Sequence, residues 1–213
     1  MVEIQVTNTL TRRKEPLIPL KPGHISMYVC GVTPYDATHV GHARPAVVFD
    51  VVRRFLRHKS LSVQLVQNFT DIDDKIIARA SEKGMTPLEL ANTYSEEYLH
   101  SMDRLGVERA DAYPRVSEHI PDIVAMIEEL IQKGFAYVED GDVYFSVSRF
   151  PEYGKLSNQK LEELETGTRF DVDERKRHPG DFALWKAAKP GEPAWDSPWG
   201  QGRPGWHIEC SAM

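Results

Sequence analysis

Two histidines flank a glycine in the segment His39-Val40-Gly41-His42. Imidazole N–H groups donate hydrogen bonds, and a helix N-terminus presents unpaired N–H groups and a partial positive charge. Two such rings beside a helix start would hold a phosphate chain and stabilise the charge that builds up on it during reaction. Gly41 would let a nucleotide approach closely. The same two rings could instead be capping or core histidines, and the spacing alone leaves both interpretations open.

The chain has two cysteines, Cys30 and Cys210, which lie 180 positions apart (210 minus 30). Thiolates bind zinc readily, yet two distant cysteines in a chain of this kind are more often buried structural thiols. A disulfide framework is not expected from two cysteines. From the residues alone, buried structural thiols are therefore the preferred interpretation.

Three carboxylates, Asp71, Asp73 and Asp74, follow one another closely. Such a group could hold magnesium, whose preferred ligands are oxygens. Carboxylates at a helix start more often cap the helix and interact with its dipole, and we prefer that interpretation here.

The elements that must position these groups follow a strand–loop–helix–strand order. Residues 24–30 alternate like a strand, residues 33–36 form a loop, a helix runs from 41 to about 58, and residues 62–69 form a second strand. Pro45 falls in the first turn of the helix, where it does no harm. This βαβ order predicts a parallel sheet with its site at the carboxyl ends of the strands. The apolar stripe of the helix consists of Val47, Val48, Val51, Val52, Phe55 and Leu56.

The pattern changes in the second half of the chain. A helix over residues 73–83 is followed by one that starts at a Thr86 capping box and ends near Gly106. Ser117 is predicted to cap a further helix that runs to Gly134. Residues 135–138 and 143–147 are predicted to form a hairpin through Asp140-Gly141, and residues 153–204 are expected to be irregular. Residues 206–210 could return the chain to the main sheet.

The predicted fold class is therefore α/β, a Rossmann-like parallel-sheet nucleotide-binding domain with an inserted connective α+β region. Residues 1–114 would form the first half of the catalytic domain, residues 115–204 the connective insertion, and residues 205–213 the start of a truncated second half.

Composition narrows the functional classes. With 41% hydrophobic and 27% charged residues, the chain has ordinary globular composition, and neither a spanning apolar run nor a secretory signal is evident. We therefore expect a cytoplasmic protein that does not engage a membrane. The net charge of −6 argues mildly against a nucleic-acid partner. Basic residues cluster at 53–59 and at 175–178, and we interpret both clusters as solvated surface.

Four segments carry a family resemblance. His39-Val40-Gly41-His42 resembles the HIGH motif of class I aminoacyl-tRNA synthetases, with Val in the second place. Residues 28–36 (YVCGVTPYD), 68–75 (NFTDIDDK) and 205–213 (GWHIECSAM) are similar to segments of the cysteinyl-tRNA synthetases. The likeness extends through Ser157 and residues 181–186, so it covers nearly the whole chain. Four ordered blocks at the family spacing carry far more weight than a HIGH match alone.

The resemblance implies an ATP site and an amino-acid pocket. ATP would contact Thr33, His39, Gly41 and His42, with the two histidines as the catalytic groups and Mg²⁺ accompanying the nucleotide. Gly31, Thr70 and Trp206 would contact the amino acid. From pattern alone, Thr70 could equally be a strand-end cap and Trp206 a core aromatic.

The resemblance also implies that Cys30 and Cys210 are ligands of one zinc ion per monomer, which binds the thiolate of substrate cysteine. A serine hydroxyl is a far poorer ligand, so metal–sulphur bonding would exclude serine without an editing domain. The family completes the ligand set with a His and a Glu beyond residue 213.

The implied activity is that of a cysteine–tRNA ligase. The parent enzyme, a monomer, would activate L-cysteine with ATP to cysteinyl-adenylate, release pyrophosphate, and charge tRNA-Cys with release of AMP. The KMSKS loop and an anticodon-binding region are not in this sequence, so we expect an N-terminal portion that is weak or inactive alone.

Two alternatives remain open at this point. One is the related ligase that joins cysteine to an amino-sugar in mycothiol synthesis, which would share the adenylate chemistry but not the tRNA. The hairpin and insertion after Tyr113 favour the synthetase over it. The other is a catalytically silent nucleotide- or RNA-binding fragment. A dehydrogenase is disfavoured, since G-x-G-x-x-G does not follow the first strand.

Overall fold

The structure is a computed structural model, and it describes residues 4–158, 175–205 and 207–213. The first part of the chain contains β1 (Gln5–Asn8), β2 (Arg13–Pro16), β3 (His24–Val32), α1 (Val40–His58), β4 (Ser62–Phe69), α2 (Asp74–Lys83) and α3 (Pro87–Arg104). The second part contains α4 (Ile120–Gln132), β5 (Ala136–Glu139), β6 (Asp142–Phe145), β7 (Phe182–Ala187), β8 (Gly202–Pro204) and α5 (Ile208–Ala212).

The predicted βαβ unit is confirmed. β3 and β4 pair in parallel, in register from His24 opposite Ser62 to Val29 opposite Gln67. The chain at 112–115 runs parallel along the other side of β4, where the N–H of Phe69 donates to the carbonyl of Pro114 at 2.9 Å. We call β3, α1 and β4 the parallel unit. Its strands end at the same edge of the sheet, as the Rossmann-like class requires.

The apolar stripe of α1 is mostly exposed. Of its predicted apolar stripe only Leu56 is buried, whereas Val51 is 59% exposed and Phe55 47% exposed. The exposed members are Val47, Val48, Val51, Val52 and Phe55. Periodicity locates an apolar face but does not identify which surface the helix meets.

A polar network holds the buried face of α1 instead. The guanidinium of Arg53, which is 1% exposed, donates to the carbonyls of Arg109 at 2.8 Å and Glu108 at 2.7 Å. Asp50 pairs with Arg54 at 2.8 Å, and Arg57 pairs with Glu108 at 2.7 Å. Three arginines of the 53–59 cluster are thus engaged by carboxylates and carbonyls. The interpretation of this cluster as solvated surface is therefore wrong for Arg53, which is buried, whereas the side chains of Arg54 and Arg57 are 49% and 41% exposed.

The second part of the chain forms an antiparallel sheet in the order β5-β6-β7-β8. The predicted hairpin is confirmed, with Asp140 and Gly141 both at positive φ in its turn. We call α4 and β5 to β8 the antiparallel unit. Two of its strands, β7 and β8, lie in the stretch predicted to be irregular, and that prediction is wrong for them. Residues 159–174 of that stretch lie outside the described residues.

Ser117 does not cap α4 as predicted. It lies in a short 3₁₀ turn, where its backbone N–H and hydroxyl both donate to the carboxylate of Asp71, at 3.0 and 2.5 Å. The helix starts after His119 instead. The Ser117 hydroxyl is thus a donor to a carboxylate just after β4, and the start of α4 has no side-chain cap hydrogen bond.

One core joins the antiparallel unit to both flanking parts of the chain. Ile123 and Ile127 of α4 pack with the fully buried Trp185 of β7. Ile72, just after β4, and Ile208, in α5, belong to the same core. Residues 208–212 therefore form a helix that packs in this core, and the domain boundaries inferred from sequence stay a prediction. None of the helices in the described ranges is long and apolar enough to cross a membrane.

Candidate active site

His39 and His42 cap the start of α1. His39 is the N-cap residue, and its Nδ1 accepts the N–H of Gly41 at 3.0 Å. The Nδ1 of His42 accepts the N–H of His39 at 3.3 Å, and the two rings stack with their centroids 4.0 Å apart. Since each Nδ1 is an acceptor, a neutral ring carries its proton on Nε2. The capping role that the sequence left open is present, and it uses the Nδ1 atom of each ring, which leaves Nε2 outside the capping bonds.

The electrostatic setting keeps His42 neutral near pH 7. Burial, reinforced by the neighbouring His39, lowers the pKa of His42 below its usual value of 6.5. A neutral imidazole with its proton on Nε2 is a hydrogen-bond donor at physiological pH.

A side chain at Gly41 would collide with the ring of His39. A Cβ atom there would lie 2.7 Å from Cε1 and 2.9 Å from Nδ1 of His39. The glycine therefore makes room for the capping ring. Close approach of a nucleotide at Gly41 stays a prediction.

A cavity of about 300 Å³ opens beside this helix start, at the carboxyl ends of β3 and β4. Five of the predicted site residues line it together: Cys30, Gly31, Thr33, Gly41 and His42. The others lining it are Val32, Tyr35, Pro45, Gln67, Lys75 and Tyr98. Residues far apart in sequence thus converge on one space large enough for part of a nucleotide or an amino acid.

Lys75 is a cation of this cavity that the sequence analysis did not single out. Its Nζ lies 5.5 Å from the centroid of the Tyr35 ring, a cation–π distance. The only available signal was its place at the end of the NFTDIDDK block. An ammonium group in the cavity adds positive charge to the two imidazole donors.

The structure brings the two cysteines together. Their Sγ atoms are 3.5 Å apart, both thiols are free, and Cys30 is exposed while Cys210 is partly buried. Two sulphurs that share a tetrahedral zinc, each bonded at about 2.3 Å, lie about 3.8 Å apart. The pair therefore fits two positions of a zinc site after a small adjustment. Among the residues that the structure describes, no cluster of three His, Cys, Asp or Glu side chains could hold a metal.

The Cys210 thiol is protonated when no metal is bound. Burial, together with the adjacent Cys30 thiol, raises the pKa of Cys210 to about 11. Without a metal the thiol is protonated at neutral pH, and metal binding would release that proton.

Gly31 and Thr70 meet where β3 and β4 end. A Cβ on Gly31 would lie 1.6 Å from the backbone oxygen of Asn68, so only glycine fits this close approach of the strands. The N–H of Thr70 donates to the carbonyl of Val32 at 3.1 Å, and its side chain is 8% exposed. Thr70 thus closes the strand ends, and its contact with an amino acid stays a prediction. Trp206 lies outside the described residues.

Asn68 is a functional candidate that the sequence analysis quoted without assigning a role. It is fully buried, and its Oδ1 accepts the N–H of Gly31 at 2.7 Å. Its Nδ2 lies 3.4 Å from Oγ1 of Thr70 and 3.6 Å from Sγ of Cys210. Sequence offers no signal for such a role, because the partners are 37 and 142 positions away.

The three carboxylates after β4 are held by protein groups. Asp73 caps α2 by accepting the N–H of Lys75 at 2.8 Å, as preferred from sequence. Asp71 accepts from Ser117, as described above. Asp74 pairs with Lys186 at 2.7 Å and with Arg203, which is 3% exposed, so it ties α2 to the antiparallel unit. These contacts favour structural roles over magnesium binding.

A family model described as "tRNA synthetases class I (C) catalytic domain" matches residues 16–213. The chain belongs to this family. Its Rossmann-like catalytic fold agrees with the parallel sheet and with the position of the cavity at the strand ends.

Relatives within the family are close in sequence. The "Cysteine--tRNA ligase" of Pelotomaculum thermopropionicum is 62% identical over 210 residues, which cover 99% of this chain and 43% of that protein. The protein of the same name from Carboxydothermus hydrogenoformans is 59% identical, with 99% and 45% of the two chains covered. The chain therefore spans less than half the length of these class I synthetase relatives.

Solved structures of class I synthetases support the fold. The Mycobacterium tuberculosis methionyl-tRNA synthetase, in complex with methionyl-adenylate, superposes with a TM-score of 0.50 at 22% identity. The match covers 58% of this chain and 25% of that one. At this identity the likeness concerns the fold alone.

Proposed function

We propose that the protein to which this chain belongs is a cysteine–tRNA ligase, which activates L-cysteine with ATP and charges tRNA-Cys. The observation that carries the proposal is the convergence of the His39–His42 pair and the Cys30–Cys210 pair near one cavity, with Cys30 and His42 both lining it. The naming of relatives about 60% identical as cysteine–tRNA ligases supports the choice of amino acid.

In the first half-reaction the cysteine carboxylate attacks the α-phosphorus of ATP in line, and the bond to the pyrophosphate oxygen breaks. Negative charge builds up on the phosphate oxygens. The Nε2–H groups of His39 and His42 donate to these oxygens, and the N–H groups at the start of α1 add positive potential. Lys75 contributes a further cation to the cavity, while Mg²⁺ would accompany the nucleotide. The catalysis is therefore chiefly positioning and charge stabilisation.

The thiol pair would supply amino-acid selectivity. One zinc ion per monomer, held by Cys30, Cys210 and ligands beyond residue 213, would supply an open position for the thiolate of substrate cysteine. Gly31, Thr70 and Trp206 would line the space for the rest of the amino acid, and Thr33 and Gly41 would contact ATP. We further propose that the protein is a monomer that acts in the cytoplasm. Both proposals depend on its family membership.

Cysteine-dependent exchange between ATP and pyrophosphate tests the proposal. We expect the full-length protein to catalyse the exchange with cysteine and not with serine, and this 213-residue chain to do so weakly or not at all. His42→Asn in the full-length protein should lower kcat/KM by about 100-fold, because removing one donor to a developing oxyanion costs about 3 kcal/mol.

His58→Asn is the matched control, since it makes the same change at the other end of α1 and should leave the exchange rate unchanged. A full-length protein that prefers another amino acid would refute the specificity. An unchanged rate in His42→Asn would remove the histidine pair from catalysis.

A further inference from the structure

The side chain of Asn68 connects the surroundings of both thiols. Its Oδ1 accepts the N–H of Gly31, the residue after Cys30, and its Nδ2 reaches the Sγ of Cys210 at 3.6 Å. The second hydrogen on Nδ2 is directed to Oγ1 of Thr70 at 3.4 Å. The amide orientation is determined by these partners, because a flipped amide would place its NH₂ against the N–H of Gly31.

The two thiols belong to different elements, and each element is held in place by different contacts. Cys30 lies at the irregularity where the β3–β4 register shifts between Val29 and Val32. Cys210 lies in α5, which is anchored through Ile208 in the core of the antiparallel unit. The Asn68 carboxamide connects the two elements directly, through Gly31 of β3 and Cys210 of α5. Because Asn68 is fully buried, water does not compete for its hydrogen bonds.

Tyr28 neighbours the thiol pair: burial, followed by the nearby Cys210 sulphur, raises the pKa of the Tyr28 hydroxyl. Tyr28 lies two residues before Cys30 on β3, hence on the same face of the strand. The donor directed at the Cys210 sulphur is the Nδ2–H of Asn68, at 3.6 Å. Donors of this kind fix the direction of a sulphur lone pair and spread the charge of a metal-bound thiolate.

We propose that Asn68 is the positioning residue of the thiol pair, which holds the Cys210 sulphur at the distance from Cys30 that a shared metal ion requires. This role rests on the proposed function, in which the pair binds zinc. Partners that orient metal ligands typically change metal affinity by about 10- to 100-fold when they are lost.

Asn68→Asp isolates the hydrogen bond to sulphur. The aspartate keeps an oxygen that accepts from Gly31 and replaces the NH₂ donor with an oxygen that repels a thiolate. Titration of the full-length protein with Co²⁺, a spectroscopic substitute for zinc, should show an affinity about tenfold lower than that of the unsubstituted protein and a weaker thiolate-to-cobalt absorption band. A residue that only supported the fold would not change this band in a variant with an unaltered circular dichroism spectrum.

Two further variants control for the chemistry of the substitution. Asn92→Asp makes the same change at an exposed position, where Oδ1 accepts from Arg115 at 2.6 Å, and should bind Co²⁺ like the unsubstituted protein. Asn68→Ser removes the sulphur donor without burying a charge, and should lower the affinity for Co²⁺ as Asn68→Asp does. It covers the case in which the aspartate variant fails to fold.

A second probe reports on the thiols without a metal. Phenylarsine oxide reacts with two adjacent thiols to form two arsenic–sulphur bonds and one water, and the two cysteines of this chain are its only target. We expect one arsenical per chain, bound several-fold more slowly in both Asn68 variants. If either folded variant matches the parent in Co²⁺ affinity and arsenical rate, the positioning role is refuted. If the variants lose both while the full-length protein lacks cysteine-dependent exchange, the positioning role stands and the proposed function fails.

Discussion

The parallel unit and the antiparallel unit differ in how completely they bury their apolar surface. In the antiparallel unit Trp185 is fully buried, packs edge-to-face against Trp199, and shares a core with α4 and α5. In the parallel unit α1 exposes most of its apolar stripe and is held on its buried face by Arg53 and Asp50. The cavity with the candidate catalytic groups belongs to the less completely packed unit.

This difference shows that the histidine end of the candidate site does not depend on a closed core for its local geometry. The capping bonds of His39 and His42, and the close approach at Gly31, are made within a few residues or between two paired strands. A contiguous exposed apolar face is unusual for an isolated domain and commonly marks a surface that is covered in the complete protein. The histidine end of the site is therefore built locally, whereas the position of Cys210 beside Cys30 depends on α5, which packs in the core of the antiparallel unit.

The largest effect is expected from a pair of truncations, one in each unit. Trp185→Ala should lower the free energy of unfolding by about 3 to 5 kcal/mol, because it removes a large buried side chain and leaves a cavity. Phe55→Ala, on the exposed face of α1, should lower it by about 0.5 kcal/mol or less. Urea denaturation measures both. Equal losses would show that the stripe on α1 is covered in solution and would abolish the contrast between the units.

A smaller effect is expected where α2 joins the antiparallel unit. Asp74→Ala should lower the free energy of unfolding by about 1 kcal/mol, since the carboxylate is 63% exposed and its attraction to Lys186 and Arg203 is partly screened. Asp122→Ala is the control, because the Asp122 side chain is equally exposed and pairs with His119 at the start of its own helix. Thermal unfolding should detect the first change and hardly the second; the reverse order would mean that Asp74 does not join the two parts.

The smallest effect concerns how the free energy of unfolding depends on pH, to which His42 of the parallel unit contributes. Burial lowers the pKa of His42 below 6.5, so the unfolded chain binds this proton more readily than the folded one. The stabilisation is complete above pH 6.5 and declines as the pH falls through the lowered pKa. Comparing the pH profiles of unfolding for the parent chain and His42→Asn isolates this contribution. A histidine variant that loses stability at low pH as steeply as the parent would contradict it.

Local signals in the sequence were sufficient for several elements. The Thr86 capping box forms with Glu89, and Asp140-Gly141 makes the predicted turn. Both depend on residues within four positions of one another, so pattern and structure coincide.

The features that sequence did not predict have distant partners. Ser117 donates to Asp71, 46 positions away. Strand β7 pairs with β6, although the two strands are separated in sequence by residues 146–181. The proximity of Cys30 to Cys210 depends on Asn68 and on the packing of α5, which spacing cannot reveal. The family resemblance supplied the pairing of the thiols, whereas residue types alone favoured separate structural cysteines.

The capping arrangement at the start of α1 couples ligand reach to local folding. Each ring is anchored through one nitrogen and leaves the other outside the capping bonds, so neither can rotate to follow a departing group without releasing a backbone N–H of its own helix. The two rings therefore keep fixed positions, and a bound phosphate chain must move toward them. Any ligand that engages both rings would also make the first turn of the helix more resistant to fraying, which would be visible as slower amide hydrogen exchange at Gly41 and His42.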